Sequence, residues 1–226
     1  MVEFQPTREE QPPKSANGHA SLCYSPDDET LYLFVPSPRG GIEAWAWMGS
    51  AWRQHASGIF GDTYAGRPLA AFGDGDVHIF RATDGAFRVA RLSQLDAEQT
   101  YEVPGLAQGH AHGFAGFNPT TGRFLVCSPT HGDSTTFAFD GQSFELVCEG
   151  PHLMSGCWDN ANQRLVGTDV SGRTYYLGAG GWQSIELGLG SNGSDIAYDP
   201  TREGIVALLP ESDEVMRLVG AREGGS

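Results

Sequence analysis

The most constraining feature of this sequence is a short motif that occurs in five copies. A run of small residues precedes one aromatic residue, a polar turn follows it, and a second apolar run follows the turn. The clearest copy spans residues 113–129, with the turn at residues 118–122. The repeat aromatics are Tyr24, Phe72, Phe117, Trp158 and Tyr198, which lie 48, 45, 41 and 40 residues apart. A period of about 40 to 50 residues that contains only strand signals predicts a β-propeller.

Each period divides into four strand-like segments, named a to d from the axis outward. The sequence therefore predicts an all-β, five-bladed β-propeller with four-stranded antiparallel blades, built as a single domain over residues 1–226. The predicted blades cover residues 17–57, 65–105, 110–149, 152–189 and 192–220. The fifth period has only three strand signals, and we expect residues 1–6 to add the fourth strand and close the last blade. Residues 93–99 are expected to be an insertion in the second blade.

The charge of the chain indicates which kind of partner it binds, and its cysteines indicate its cellular compartment. The chain has 14 basic and 28 acidic residues, a formal net charge of −14, which repels nucleic acid and anionic membranes and attracts basic partners, although solubility alone also explains it. No signal peptide is recognisable at the start, and no apolar run approaches the ~18 residues of a membrane span. The cysteines lack metal-type spacing and lie in apolar strands: Cys23, Cys127, Cys148 and Cys157. The sequence thus predicts reduced, buried thiols in a cytoplasmic monomer.

The turns of the repeat separate a structural face from a variable face. The a–b turns are stereotyped Asx and Pro turns, so their acids are expected to serve backbone geometry, and Asp74-Gly75-Asp76 is expected to be a hairpin turn, not a calcium site. The b–c loops and d–a connections differ from blade to blade, as a recognition surface should. The loop residues predicted to bind are Arg39, His131, Asp133, Asp169, Glu211, Asp213 and Glu214.

Histidines cluster at the predicted mouth of the axial channel. Residues near the start of each strand a are predicted to line this mouth: His19, Arg67, His110, His112, His152, Asn192 and Asp195. Three interpretations stay open for the histidines. The first is structural, with hydrogen bonds from the histidines to the backbone of a neighbouring blade. The second is a metal ion bound through His110, His112 and a third histidine, and the third is contact with a ligand or partner.

Two further phrases carry a resemblance to a known family. These are Gly18-His19-Ala20-Ser21-Leu22-Cys23-Tyr24 and Trp47-Met48-Gly49-Ser50-Ala51-Trp52. They resemble the kelch/galactose-oxidase-type propeller repeat, in which Gly-His and small residues precede an aromatic and a Trp-containing hairpin closes the blade. The family includes oxidases, glycan binders and protein-binding scaffolds, so the resemblance implies a propeller and no single activity.

The function predicted from these features is binding, without catalysis or a cofactor. We find no nucleophile elbow, phosphate loop or zinc motif, and Asp195 is the one acid on the predicted strands a. The favoured hypothesis is a non-enzymatic propeller that binds a basic protein partner through its variable face, for example as an immunity or inhibitor protein of a cationic toxin. The alternatives are a glycan or small-ligand binder, or a glycoside-active enzyme with its site at the axial channel.

Overall fold

The regular structure of the chain is entirely β-strand in the part that the computed structural model describes, namely residues 20–61, 67–106, 112–129, 133–188, 195–199, 203–209 and 214–218. The chain divides into two compact units, residues 1–111 and 112–226. Successive four-stranded antiparallel meanders are the blades of a β-propeller, so the all-β and propeller predictions are confirmed. Residues 1–6 lie outside the described ranges.

The first unit contains two four-stranded sheets, each with its strands in chain order. The first sheet consists of β1 (Ser21–Ser25), β2 (Thr30–Pro36), β3 (Ile42–Trp47) and β4 (Trp52–Ile59), and the second of β5 (Leu69–Gly73), β6 (Asp76–Thr83), β7 (Ala86–Arg91) and β8 (Gln94–Glu102). Strand alternation decides the core, because Ile42, Ala44 and Ala46 of β3 are buried while the intervening side chains are half-exposed. These residues join Phe34 and Ile79 in one hydrophobic cluster that spans both sheets.

The second unit contains two four-stranded sheets and one sheet of three strands. The third sheet consists of β9 (Phe114–Asn118), β10 (Arg123–Pro129), β11 (Asp133–Phe139) and β12 (Phe144–Pro151), the fourth of β13 (Leu153–Asp159), β14 (Arg164–Asp169), β15 (Arg173–Gly178) and β16 (Gly181–Gly188), and the fifth of β17 (Asp195–Asp199), β18 (Gly204–Leu209) and β19 (Glu214–Leu218). Phe114, Leu153 and Leu165 form the core between the third and fourth sheets.

In the second unit, the small residue before a repeat aromatic is a packing site for the next sheet. A β-carbon added at Gly116 would lie 3.4 Å from Cβ of Trp158, so the aromatic of the fourth sheet stands over the small residue of the third. Tyr198 packs in the same way against a cluster beside Cys157. Within the second unit, the sequence period therefore corresponds to a repeated contact between neighbouring sheets, and this contact requires a small residue.

One prediction about the second sheet is wrong. Residues 93–99 are no insertion, because β8 runs from Gln94 to Glu102 and pairs with β7. The strand escaped the sequence pattern since nearly all of its side chains are exposed, so it lacks the alternation that marks a half-buried strand.

The prediction for the neighbouring turn is confirmed. Gly73 pairs with Asp76, and the two residues between them, Asp74 and Gly75, have φ angles of 53° and 72°. These values define a tight hairpin turn with left-handed backbone at both positions. Asp76 accepts hydrogen bonds from Val77 N–H at 2.8 Å and from the Ser93 hydroxyl, so its carboxylate holds the hairpin together.

All four cysteines are free thiols, as predicted. Cys23 and Cys127 are buried, and burial raises the pKa of each thiol to about 12. Cys148 and Cys157 are half-buried, and burial raises the pKa of both as well.

We expect thiol reagents to distinguish these cysteines. At pH 8 the native protein should react at Cys148 well before Cys23 and Cys127, because a raised pKa and burial both suppress the reactive thiolate. Mass spectrometry after timed maleimide labelling measures the order, with urea-unfolded protein as the control in which all four sites react alike. Rapid native labelling of Cys127 would contradict the burial.

The described residues contain no helix long and apolar enough to span a membrane.

Candidate binding rim

The predicted site residues divide between those the structure describes and those outside the described ranges. Of the predicted channel-mouth residues, Arg67, His112, His152 and Asp195 are described, whereas His19, His110 and Asn192 lie outside. Of the loop residues, Arg39, Asp133, Asp169 and Glu214 lie in described ranges, the last of these as backbone, whereas His131, Glu211 and Asp213 do not.

Three inner strands of the second unit are tied together at the end where they begin. Gly113 N–H, just before β9, donates to the Met154 carbonyl of β13 at 3.4 Å. Ile196 N–H of β17 donates to Ser155 Oγ of β13 at 3.2 Å. These bonds place His112, His152 and Asp195 at the same end of three neighbouring strands, and we call this end the inner rim.

Two of the predicted histidines meet on the inner rim. The imidazole centroids of His112 and His152 lie 5.7 Å apart, with the ring planes at 68° in an edge-to-face arrangement. Both residues are half-buried. His152 is the single residue between β12 and β13, and the buried bond from Leu153 N–H to Ser134 Oγ at 2.9 Å fixes the backbone beside it.

Two exposed carboxylates lie at the same end of their strands as this histidine pair. Asp133 begins β11, is exposed, and pairs in register with Pro151, the neighbour of His152. Asp195 begins β17 and is also exposed. The inner rim of the second unit therefore combines two half-buried imidazoles with exposed acids.

The carboxylate of Asp169, which was predicted to bind a partner, instead accepts hydrogen bonds within its own turn. Its Oδ1 accepts bonds from Ser171 N–H at 2.8 Å, Ser171 Oγ at 2.7 Å and Arg173 N–H at 2.9 Å. Its Oδ2 accepts the Tyr175 hydroxyl at 3.0 Å. Burial alone would raise the pKa of this carboxyl, but these bonds outweigh it and hold the pKa below its ordinary value.

The same turn presents a residue that the sequence prediction missed. Val170 is 50% exposed at the tip of the β14–β15 turn, next to the residue that pairs with Leu153. The Asp-x-Ser-Gly sequence is typical of an Asx turn, which is the signal for a structural acid, whereas Asp169 was predicted from the sequence to bind a partner.

In the first unit, Arg39 lies on a hydrogen-bonded loop between β2 and β3. Its N–H donates to Ser37 Oγ at 3.2 Å, and Ser37 Oγ donates to Glu43 Oε1 at 2.8 Å. The indole N–H of Trp45 donates to Glu43 Oε2 at 3.1 Å. The loop holds an exposed arginine beside a fixed carboxylate and a half-exposed indole, a combination that the sequence did not reveal.

Arg67, also in this unit, is half-buried just before β5.

The described residues contain no group of three or more histidine, cysteine, aspartate or glutamate side chains placed to hold a metal ion. Their acids on the a–b turns serve the backbone, as predicted: buried Asp159, for example, accepts bonds from Asn162 and pairs with Arg164 at 3.6 Å.

No family model matches the chain, and no curated protein matches it. Solved structures do resemble it in fold. The SapL1 lectin in complex with alpha methyl fucoside has a TM-score of 0.60 and 13% identity, with 88% of this chain and 78% of that chain covered. The Aleuria aurantia lectin has a TM-score of 0.58 and 11% identity over 89% of this chain and 75% of that chain. A putative gluconolactonase has a TM-score of 0.58 and 14% identity over 82% and 69%. At such identities these similarities establish the β-propeller fold alone, and the kelch-type repeat stays a prediction.

Proposed function

We propose that this chain is a non-enzymatic binding propeller that recognises a basic protein partner through its variable b–c and d–a loop face. The main support is one end of the sheets of the second unit, where Asp133 begins β11, Asp195 begins β17 and Val170 stands at the tip of the β14–β15 turn, all three with exposed side chains. Apolar contact area bordered by charge is the usual anatomy of a protein interface. The net charge of −14 adds long-range attraction for a cationic partner.

An immunity or inhibitor protein of a cationic toxin is the specific form of this proposal. Neutralising a toxin requires fast capture and slow release, and acids that steer a basic partner raise the association rate. A cytoplasmic, monomeric protein suits that role. The remaining predicted loop acids, Glu211, Asp213 and Glu214, belong to the same proposed face.

Charge reversal on the inner rim tests the proposal. The double variant Asp133→Lys, Asp195→Lys should slow association with a captured basic partner at least tenfold at low salt, because steering depends on rim charge, and high salt should shrink the difference. The measurement is stopped-flow or surface-plasmon kinetics at two ionic strengths.

The matched control is Asp27→Lys with Glu29→Lys, which makes the same change in net charge on the exposed β1–β2 turn. An equal loss of association rate in the control would show that net charge alone matters and would overturn the assignment of the rim.

A glycan ligand is the second candidate. The half-exposed indole of Trp45 beside the fixed Glu43 carboxylate offers a stacking surface and a hydrogen-bond acceptor, which together suit a sugar ring. Two propellers similar in fold are named as lectins. A glycan array with wild-type protein and Trp45→Ala tests this candidate, and binding that survives the substitution would exclude this site.

A glycoside-active site at the axial channel is the enzymatic alternative and has no support from a described pair of acids.

We also propose that the propeller has five blades and that residues 1–6 complete the last one. The fifth sheet has three strands among the described residues and thus has room for a fourth. Deleting residues 1–6 should lower the unfolding midpoint, because the fifth sheet would lose its fourth strand; unchanged stability would contradict closure.

A further inference from the structure

The last strand of the third sheet, β12, exposes large apolar side chains. Leu146 and Val147 are 59% and 42% exposed. Among the side chains that the structure describes, they are the only exposed large apolar ones on the last strand of a four-stranded sheet. On β8, the last strand of the second sheet, every exposed side chain is polar or small. Exposed aliphatic side chains on a sheet edge are a surface to which a further strand can add.

β12 is also an edge in its hydrogen bonding. It stands at the end of the sheet order β12-β11-β10-β9, and within the described residues it pairs with β11 alone. An edge strand presents backbone N–H and C=O groups that have no ladder partner. Such groups beside exposed aliphatic side chains suit the addition of a strand, in which main-chain bonds supply affinity and side chains supply specificity.

The charges on β12 decide which strand fits this edge. Glu145 and Glu149 are exposed on either side of the aliphatic pair. If a second copy paired antiparallel about Val147, Glu145 of one copy would stand opposite Glu149 of the other, and like charges in that position destabilise a sheet. The register of β12 with β11 also skips Val147, a bulge of the kind that hinders edge-to-edge pairing of identical strands. A strand with lysine or arginine at the flanking positions has the complementary charge.

The ion pair that Glu145 already makes does not oppose this assignment. Arg123 Nη1 lies 3.0 Å from Glu145 Oε2, and the two side chains are 43% and 71% exposed. An ion pair this exposed contributes little to stability, so Glu145 can pair with a cation of a partner instead.

We propose that β12 is a docking edge for an extended basic segment of a partner protein, which adds to the third sheet as a fifth strand. The lysine or arginine side chains of this segment lie next to Glu145 and Glu149, and its apolar side chains cover Leu146 and Val147. The surface is separate from the rim acids Asp133 and Asp195, so the docking edge and the rim can each fail alone.

A dye-labelled peptide of about nine residues that alternates valine and lysine tests the edge on full-length protein. Fluorescence anisotropy should show saturable binding. The same peptide methylated on every backbone nitrogen should not bind, because it cannot donate ladder hydrogen bonds. Amide hydrogen exchange, followed by mass spectrometry, should slow in β12 and stay unchanged in β8 when the unmethylated peptide is added.

Removal of the aliphatic contacts should weaken binding. The double variant Leu146→Ala, Val147→Ala should raise the Kd of the peptide about tenfold, because two side chains that the added strand covers are lost.

Charge reversal tests the choice of a basic segment. Glu145→Lys with Glu149→Lys should raise the Kd about tenfold at low salt and less at high salt. The matched control is Asp96→Lys with Glu102→Lys, which makes the same change in net charge at exposed positions of β8 and should leave the Kd within about twofold of wild type.

Four results would overturn the docking edge. They are no binding at about 1 mM peptide, binding that survives backbone methylation, an equal loss in the β8 control, and a dimer in sedimentation that Leu146→Ala dissociates, since the last would make a second copy the occupant. Circular dichroism of each variant separates a lost contact from a lost fold, and the exchange experiment needs wild-type protein alone.

Discussion

Gly156→Ala should lower the free energy of unfolding by about 2–3 kcal/mol, because the added carbon has no room. A β-carbon at Gly156 would lie 2.2 Å from Cε2 of Phe114, and this ring is buried against the same sheet. The substitution carries no backbone penalty, since Gly156 is not among the glycines with positive φ. Urea denaturation followed by intrinsic fluorescence measures the change.

The control for this prediction is Gly180→Ala, at a glycine with no atom within 4 Å of an added β-carbon. We expect that variant to stay within about 0.5 kcal/mol of wild type. Phe114→Leu should partly rescue Gly156→Ala in a double-mutant cycle, since a smaller side chain relieves the contact. Equal stability of the Gly156 and Gly180 variants would show that the third and fourth sheets do not pack as described.

Trp182→Ala should cost about 3–5 kcal/mol of stability, the usual cost of removing a packed aromatic side chain. The indole packs edge-to-face on Phe114 at 6.2 Å, and its N–H donates to Thr136 Oγ1 at 2.9 Å. Trp182→Phe keeps most of the packing and loses the hydrogen bond, so we expect a loss of roughly 1–2 kcal/mol. Chemical denaturation monitored by circular dichroism measures both variants, because the substitution removes a fluorophore.

A second glycine makes the Trp182 prediction sharper. A β-carbon at Gly150 would lie 2.3 Å from Cδ1 of Trp182, so Gly150→Ala should be destabilising in the wild type and nearly neutral in Trp182→Ala. Leu146→Ala is the control on the same outer strand, where the side chain is 59% exposed and little should change. Additive losses for Gly150→Ala and Trp182→Ala would contradict the contact.

Part of the candidate site was predictable, and part was not. The sequence placed His112 and His152 near one opening because both lie five or six residues before a repeat aromatic, and the structure brings their rings together. It also named Asp169 as a binding acid, although this carboxylate accepts four hydrogen bonds from its own turn. A list of acidic residues does not distinguish a carboxylate that orders a loop from one that faces solvent, because hydrogen-bond partners depend on the folded turn.

The sequence by itself determined the all-β propeller, the repeat period and the positions of the tight turns. Those features follow from local chemistry: strand alternation, small residues before each aromatic, and Asx, Pro or Gly at the turns. Only the tertiary structure decided that Trp182 bonds to Thr136, that Val170 is exposed, and that two histidines are in contact. The two contacts join residues that are distant in the sequence, and the exposure of Val170 depends on what packs around its turn. Packing between elements sets all three, and no local sequence pattern encodes it.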